Sequence, residues 1–183
     1  PATREVQEQY LHMLMQEISE KAALYAKEYV IETIFIGGGT PTSVDADLLC
    51  QVLDTLKRLF KVSDDAEISM ECNPGTADKA ALKKYCQAGI NRLSIGLQST
   101  QNYLLQRLGR IHTFEQFLET YQNAREAGFT NINIDLMSAL PNQTLDSYKD
   151  TLCKVIGLEP EHISAYSLIL EEGTCLYETI ENL

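Results

Sequence analysis

The sequence predicts an α/β fold built on a parallel sheet, closed as a (β/α) barrel or partial barrel. Three observations predict it. Short apolar runs alternate without exception with amphipathic segments at three-to-four spacing, the pattern of parallel strands joined by crossover helices. The glycine triplet after the first strand, Gly37-Gly-Gly39, lacks the G-x-G-x-x-G register of a dinucleotide-binding doubly wound sheet. Polar or permissive residues stand at the C-terminal end of each of the first four strands, where parallel barrels carry their functional groups.

The elements follow in order. Thr3 caps a first helix whose predicted apolar stripe is Val6, Tyr10, Met13/Leu14, Ile18, Ala22 and Tyr25. Ile34-Phe-Ile36 is a β-branched and aromatic strand that breaks into Gly37-Gly-Gly-Thr-Pro-Thr42, where three glycines leave backbone groups open to a ligand. Ser43 or Asp45 caps a second helix, with Leu48, Leu49, Val52, Leu53, Leu56, Leu59 and Phe60 inward. Ala66–Cys72 is the second strand, ended by Asn73-Pro-Gly75. Thr76 is expected to cap a helix running to Gly89, a left-handed C-terminal position.

Arg92–Ile95 forms the third strand, followed by Gly96-Leu-Gln-Ser99 and a short helix around Tyr103–Leu108. Thr113-Phe-Glu-Gln116 has the form of a capping box and opens a helix closed by Gly128. Asn131–Leu136 is the fourth strand, broken by Leu140-Pro141. Thr144 caps a helix ending near Gly157, His162–Leu168 is the fifth strand, and the acidic tail reads as helical.

Composition bounds the function. The 183 residues suit one domain, and 44% apolar with 22% charged residues is ordinary for a globular protein. A net charge of -11 opposes phosphate backbones, so no nucleic-acid partner is expected. Cys50, Cys72, Cys86, Cys153 and Cys175 form no Cys-x-x-Cys pair, which argues for isolated thiols in a reducing, cytoplasmic setting. No run reaches transmembrane length. The chain starts without Met, consistent with a segment of something longer.

Glu71, Gln98, Arg110 and Asp135 each have a plain structural reading, as a cap, a loop amide partner or a surface pair. Together, facing one opening beside bare backbone, they suit a zwitterion carrying a sugar: acid for ammonium, Arg110 for carboxylate, Gln98 and Asp135 for ribose hydroxyls. His12 and His162 read as structural, and His112 as a residue able to orient Arg110 or touch a ligand.

Gly37-Gly-Gly-Thr-Pro-Thr42, Glu71-Cys-Asn-Pro-Gly75, Ser94-Ile-Gly-Leu-Gln-Ser99, Leu108-Gly-Arg-Ile-His112 and Ile134-Asp-Leu136 with Leu140-Pro141 occur in an order that resembles the radical S-adenosylmethionine (SAM) proteins of the oxygen-independent coproporphyrinogen III oxidase type. The resemblance covers almost the whole chain. It implies a parallel (β/α)6-type partial TIM barrel, here five strands with the first strand missing. It implies SAM contacts at Gly38, Gly39, Thr40, Glu71, Gln98, Arg110 and Asp135, with Ile169 on the adenine side.

Asn73-Pro-Gly75, Gln98-Ser99 and Gly109-Arg-Ile-His112 are similar to the HemW branch, regarded as heme chaperones, rather than the true oxidases. The family's Cys-x-x-x-Cys-x-x-Cys loop, which holds a [4Fe–4S] cluster, is not in this sequence, nor is the branch's C-terminal heme-binding His motif. Residues 1–183 are therefore expected to be a SAM-binding core truncated at both ends. The cluster cysteines would stand upstream of Pro1, and no catalytic or metal-binding residue is expected within the segment.

In the intact protein the resemblance implies reductive cleavage of SAM to a 5′-deoxyadenosyl radical, fed by an electron donor. An oxidase would use it to turn the propionates of coproporphyrinogen III into vinyls; a chaperone would bind and deliver heme. A phosphate-binding barrel enzyme is the third alternative. The open strand Ile31–Ile36 is expected to promote self-association.

Overall fold

The computed structural model describes residues 3–174, 177 and 178. The order is α1 (Arg4–Tyr25), β1 (Val30–Ile36), a 3-10 turn (Pro41–Ser43), α2 (Ala46–Leu59), β2 (Lys61–Cys72), α3 (Lys79–Gln87), β3 (Arg92–Gln98), α4 (Asn102–Arg107), α5 (Phe114–Ala127), β4 (Ile132–Ser138), α6 (Leu145–Ile156) and β5 (His162–Ser167). The five strands pair in sequential order and every pairing is parallel. The sheet curls into a half-barrel, so that Phe35 of β1 and Tyr166 of β5 line one hollow.

Side-chain alternation sorts the sheet into two faces. Ile68, Met70, Cys72, Leu93, Ile95, Leu97, Ile132, Ile134 and Leu136 face the helices and are buried. They pack on Leu49, Leu53, Leu82, Tyr85, Phe117, Ala124 and Val155 in one continuous core. Burying each large apolar side chain stabilises the fold by about 1.5–3 kcal/mol. The opposite, concave face is mostly polar.

Helix ends follow local chemistry. Thr3 accepts from the Val6 amide, and Asp45, not Ser43, caps α2 through the amides of Asp47 and Leu48. Capping boxes open α5 (Thr113 with Gln116) and α6 (Thr144 with Ser147). Gly89, Gly109 and Gly128 take left-handed backbone where the chain leaves α3, α4 and α5.

Three expectations change. Asp78, not Thr76, caps α3; the Thr76 hydroxyl donates instead to Asn73 O at 2.6 Å, because the Asn-Pro-Gly turn claims it first. The inner stripe of α1 keeps Leu14, Ile18 and Ala22 but is anchored by Leu11, while Val6, Tyr10, Met13 and Tyr25 are exposed. That helix is apolar on more than one side, so periodicity alone misplaced the face. Strands β1, β2, β3 and β4 also extend further than their apolar runs, since ladder hydrogen bonds continue through polar positions. The tail predicted to be helical lies mostly outside the described residues. Among the described residues no helix is long and apolar enough to cross a membrane.

Candidate functional site at the barrel rim

Every second residue of the central strands points into the concavity. From β2 come Glu67, Ser69 and Glu71, from β3 Arg92, Ser94 and Gln98, from β4 Asn133, Asp135 and Met137, and from β5 Ser164 and Tyr166. These residues share one hollow of about 440 Å³ except Glu67 and Ser69, which tie to Arg92 beside it.

At the C-terminal rim the glycine turn closes over β2. The Gly38 N–H donates to Glu71 Oε2 at 3.0 Å. Gly38 and Gly39 have φ of +83° and +56°, and a side chain added at either would meet nothing within 4 Å, so open space lies above this backbone. Asn73 forms the next link: its Nδ2 donates to Thr40 Oγ1 at 2.8 Å, and its Oδ1 accepts from Arg110 Nη1 at 3.3 Å. Arg110 reaches this point because Gly109 turns the chain at the end of α4 and the Arg110 amide bonds back to Leu105 O at 2.9 Å.

Gln98 holds φ +71°, rare for a residue with a side chain, at a register break between β3 and β4. A Cβ on Gly96 would lie 3.1 Å from Gln98 Nε2 and 3.3 Å from Asn73 Oδ1, so both amides fold over that glycine. Deeper in, Asp135 accepts from Ser94 Oγ at 3.0 Å and from Asn133 Nδ2 at 2.8 Å.

Gly39, Thr40, Glu71, Gln98, Arg110 and Asp135 therefore line one cleft of about 210 Å³, with Gly38 joined to it through Glu71. It merges with the inner hollow and with a larger one of about 820 Å³ under α1 and the glycine turn. Burial pulls the Arg110 pKa down while the Asp135 charge opposes that. His112 is buried with Nε2 against Leu97 O, and burial, reinforced by Arg110, holds its pKa below the ordinary histidine value. Ile169 is 79% exposed beyond β5 and lines none of these hollows.

Arg92, Ser94 and Asn133, which share the inward rows with Asp135, were missed from the sequence as site residues. Their signal was present in the strict alternation of Arg92-Leu-Ser-Ile95 and Asn131-Ile-Asn-Ile-Asp-Leu136. Cys72, buried in the helix-side core as alternation beside the inward Glu71 requires, also lies at the rim, where it lines the same cleft.

Comparison with known proteins decides the family. The model of the radical SAM superfamily matches residues 2–154. The chain belongs to the radical SAM superfamily. Its sequence is 39% identical over 175 residues to the heme chaperone HemW of Bacillus subtilis (strain 168), covering 95% of this chain and 46% of that protein. It is 38% identical to the heme chaperone HemW of Escherichia coli (strain K12), covering 90% and 43%. A mitochondrial radical S-adenosyl methionine domain-containing protein 1 of Danio rerio is 38% identical, covering 83% and 34%. The chain thus spans less than half the length of these relatives.

Among solved structures, coproporphyrinogen III oxidase (HemN) from Escherichia coli, described as a radical SAM enzyme, superposes with a TM-score of 0.88 at 32% identity, covering 97% of this chain and 41% of that one.

Radical SAM proteins use SAM and a [4Fe–4S] cluster. The rim fits SAM by its polar groups: two carboxylates, a guanidinium, two amides, two hydroxyls and uncovered backbone around one cleft. The described residues do not fit the cluster. Among them no three His, Cys, Asp or Glu side chains gather as metal ligands, and Cys50, Cys72 and Cys86 belong to the helix side of the sheet.

Proposed function

We propose that this chain is the SAM-binding core of a HemW-like heme chaperone. The observation that carries the reading is the convergence of Gly39, Thr40, Glu71, Gln98, Arg110 and Asp135 on one cleft. The identity of 37–39% to HemW proteins over at least 90% of the chain supports the chaperone branch.

In this reading the rim binds and orients SAM. Glu71, braced by the Gly38 amide, receives the ammonium. Arg110, held by Asn73, meets the carboxylate, and the half-buried setting strengthens that pairing. Gln98 and Asp135 take the ribose hydroxyls, Gly38–Thr40 offer backbone groups, and an adenine extending past β5 meets Ile169. Bound SAM together with the family's cluster would supply one-electron chemistry, and the part of Glu71, Gln98, Arg110 and Asp135 would be to hold and orient SAM. Cluster ligands come from residues other than the described ones.

Residues 1–183 act as one core unit of a longer cytoplasmic protein that receives electrons from a separate donor, with heme as the ligand carried. The outer edge of β1, which among the described residues pairs with β2 alone, supports self-association.

The second reading is an oxygen-independent coproporphyrinogen III oxidase, favoured by the superposition on HemN. Absorbance titration of the full-length, cluster-loaded protein with heme, alongside product analysis with coproporphyrinogen III, separates the two. Tight heme binding without vinyl formation is expected. Vinyl products would overturn the chaperone reading in favour of the oxidase.

A further inference from the structure

The carboxylate of Asp135 is held from inside the sheet at both oxygens. Ser94 Oγ donates to Oδ2 at 3.0 Å, and Asn133 Nδ2 donates to Oδ1 at 2.8 Å. Asn133 Nδ2 also donates to Ser94 Oγ at 2.7 Å, so the three side chains form a closed triangle across β3 and β4. Asn133 is only 2% exposed. Because a carboxylate only accepts, the NH2 end of Asn133 must face Asp135, which turns its carbonyl oxygen toward β5. There the oxygen accepts from His162 Nδ1 and, at 3.0 Å, from Ser164 Oγ. His162 therefore carries its proton on Nδ1, and the chain of donors runs His162 to Asn133 to Asp135.

We propose that Asn133 is a positioning residue for Asp135, itself set by His162, and that this relay fixes the carboxylate that receives the ribose of SAM. The inference rests on the reading of the rim as the SAM site. Hydrogen bonds from Ser94 and Asn133 occupy one acceptor position on each oxygen. The remaining positions are left for two hydroxyls of a diol. Without Asn133 the carboxylate keeps one anchor, Ser94, and must be ordered when ligand binds. His162 starts β5 at the end of the barrel opposite the rim, so the relay links the far edge of the sheet to the cleft.

The test is SAM affinity by titration calorimetry in the full-length, cluster-loaded protein, with thermal melts as a control. Asn133→Ala is expected to weaken SAM binding roughly 10-fold, the scale of one to two lost hydrogen bonds. In an Asp135→Ala background the same change should have no further effect, since residues acting through one another are not additive. His162→Leu should weaken binding about 3-fold, and His162→Gln, which keeps a donor toward Asn133, should recover most of it.

A general structural role would lower affinity equally in both backgrounds and would not separate His162→Gln from His162→Leu; either result overturns the relay. If Asn133→Ala does not fold, the exposed His162 pair decides. Loss of affinity in Asp135→Ala without loss in Asn133→Ala sinks only the relay. Unchanged affinity in Asp135→Ala sinks the reading of the rim, and the relay with it.

Discussion

The backbone N–H of Gly38 donates to Glu71 Oε2 at 3.0 Å, tying the turn after β1 to the rim end of β2. The two residues are 33 positions apart, and this charge-assisted bond acts with the Asn73–Thr40 bond to hold the glycine turn over the cleft. Glu71→Ala should free that turn at a cost of about 1 kcal/mol for an exposed bond of this kind. Amide exchange at Gly38 should accelerate, and SAM affinity should fall with it. Glu71→Gln keeps an acceptor and should fall between the two. Exchange at Gly38 that does not respond to Glu71→Ala would show the turn to be held otherwise.

Gly96 is a position where a side chain would be tight against the cleft. A methyl group there would press on Gln98 Nε2 and Asn73 Oδ1, the two amides facing the cleft. Because both amides are movable ends, Gly96→Ala should cost stability only about 1 kcal/mol. Displacing them should nevertheless weaken SAM binding several-fold. A denaturation curve and a binding titration on the same variant check the split; binding that survives intact would argue against the amides as contacts.

Much of this was legible in the sequence, and the exceptions have physical causes. The alternation of strand and helix, the caps at Thr3, Asp45, Thr113 and Thr144, and the glycines closing α3 and α5 depend on local chemistry, which a sequence displays. Glu71, Gln98 and Asp135 were legible because the C-terminal parts of the strands in a parallel barrel share one rim, and Arg110 because it follows the short helix after Gln98. Asn133 and Ser94 were not singled out: a polar residue inside a strand means little until the curl of the sheet shows what it faces. The exposed side of α1 and the recapping of α3 by Asp78 are tertiary choices, made by packing and by competition within the Asn73-Pro-Gly75 turn. Nothing local in the sequence marks Gln98 for left-handed backbone; the register break beside β4 sets it.

Ala139 follows β4 with φ +58°, a left-handed conformation that a Cβ makes costly. Glycine there relieves the strain but loses more entropy on folding. The strain is the larger effect, so Ala139→Gly should raise stability by about 0.5–1 kcal/mol. Urea denaturation would register this as a higher midpoint at unchanged slope. A lower midpoint would mean that the backbone at Ala139 is unstrained.

His112 gives the fold an acid dependence. Burial holds its pKa below the ordinary histidine value of 6.5. In the unfolded chain the ring takes up a proton first, so protons favour unfolding. The contribution of His112 is complete above pH about 6.5 and shrinks as pH falls toward the depressed folded value. The urea midpoint should therefore drop below pH 6.5 more steeply in the native protein than in His112→Gln, which does not titrate. Parallel curves for the two would remove His112 as the cause.

Cys72 gives the opposite dependence at the alkaline end. Its thiol is 2% exposed in the helix-side core, and burial pushes its pKa up to about 12. Exposed in the unfolded chain, the thiol ionises near 9, so from there upward loss of the proton pulls toward unfolding. The stabilisation from a neutral, buried Cys72 is thus complete below pH 9 and is lost as pH rises toward 12. Tyr85 follows the same sign, also pushed up to about 12 by burial, but its unfolded value of 10.0 delays its effect. The interval from pH 9 to 10 therefore belongs to the thiols, and comparison with Cys72→Ala isolates this one from half-buried Cys50. Urea midpoints should fall across that interval more steeply in the native protein than in Cys72→Ala. Iodoacetamide at neutral pH should modify exposed Cys153 readily and reach Cys72 only when the fold opens, because the reacting species is the thiolate. Equal slopes in the two proteins, or rapid labelling of Cys72 in the folded state, would place this sulfur outside the core.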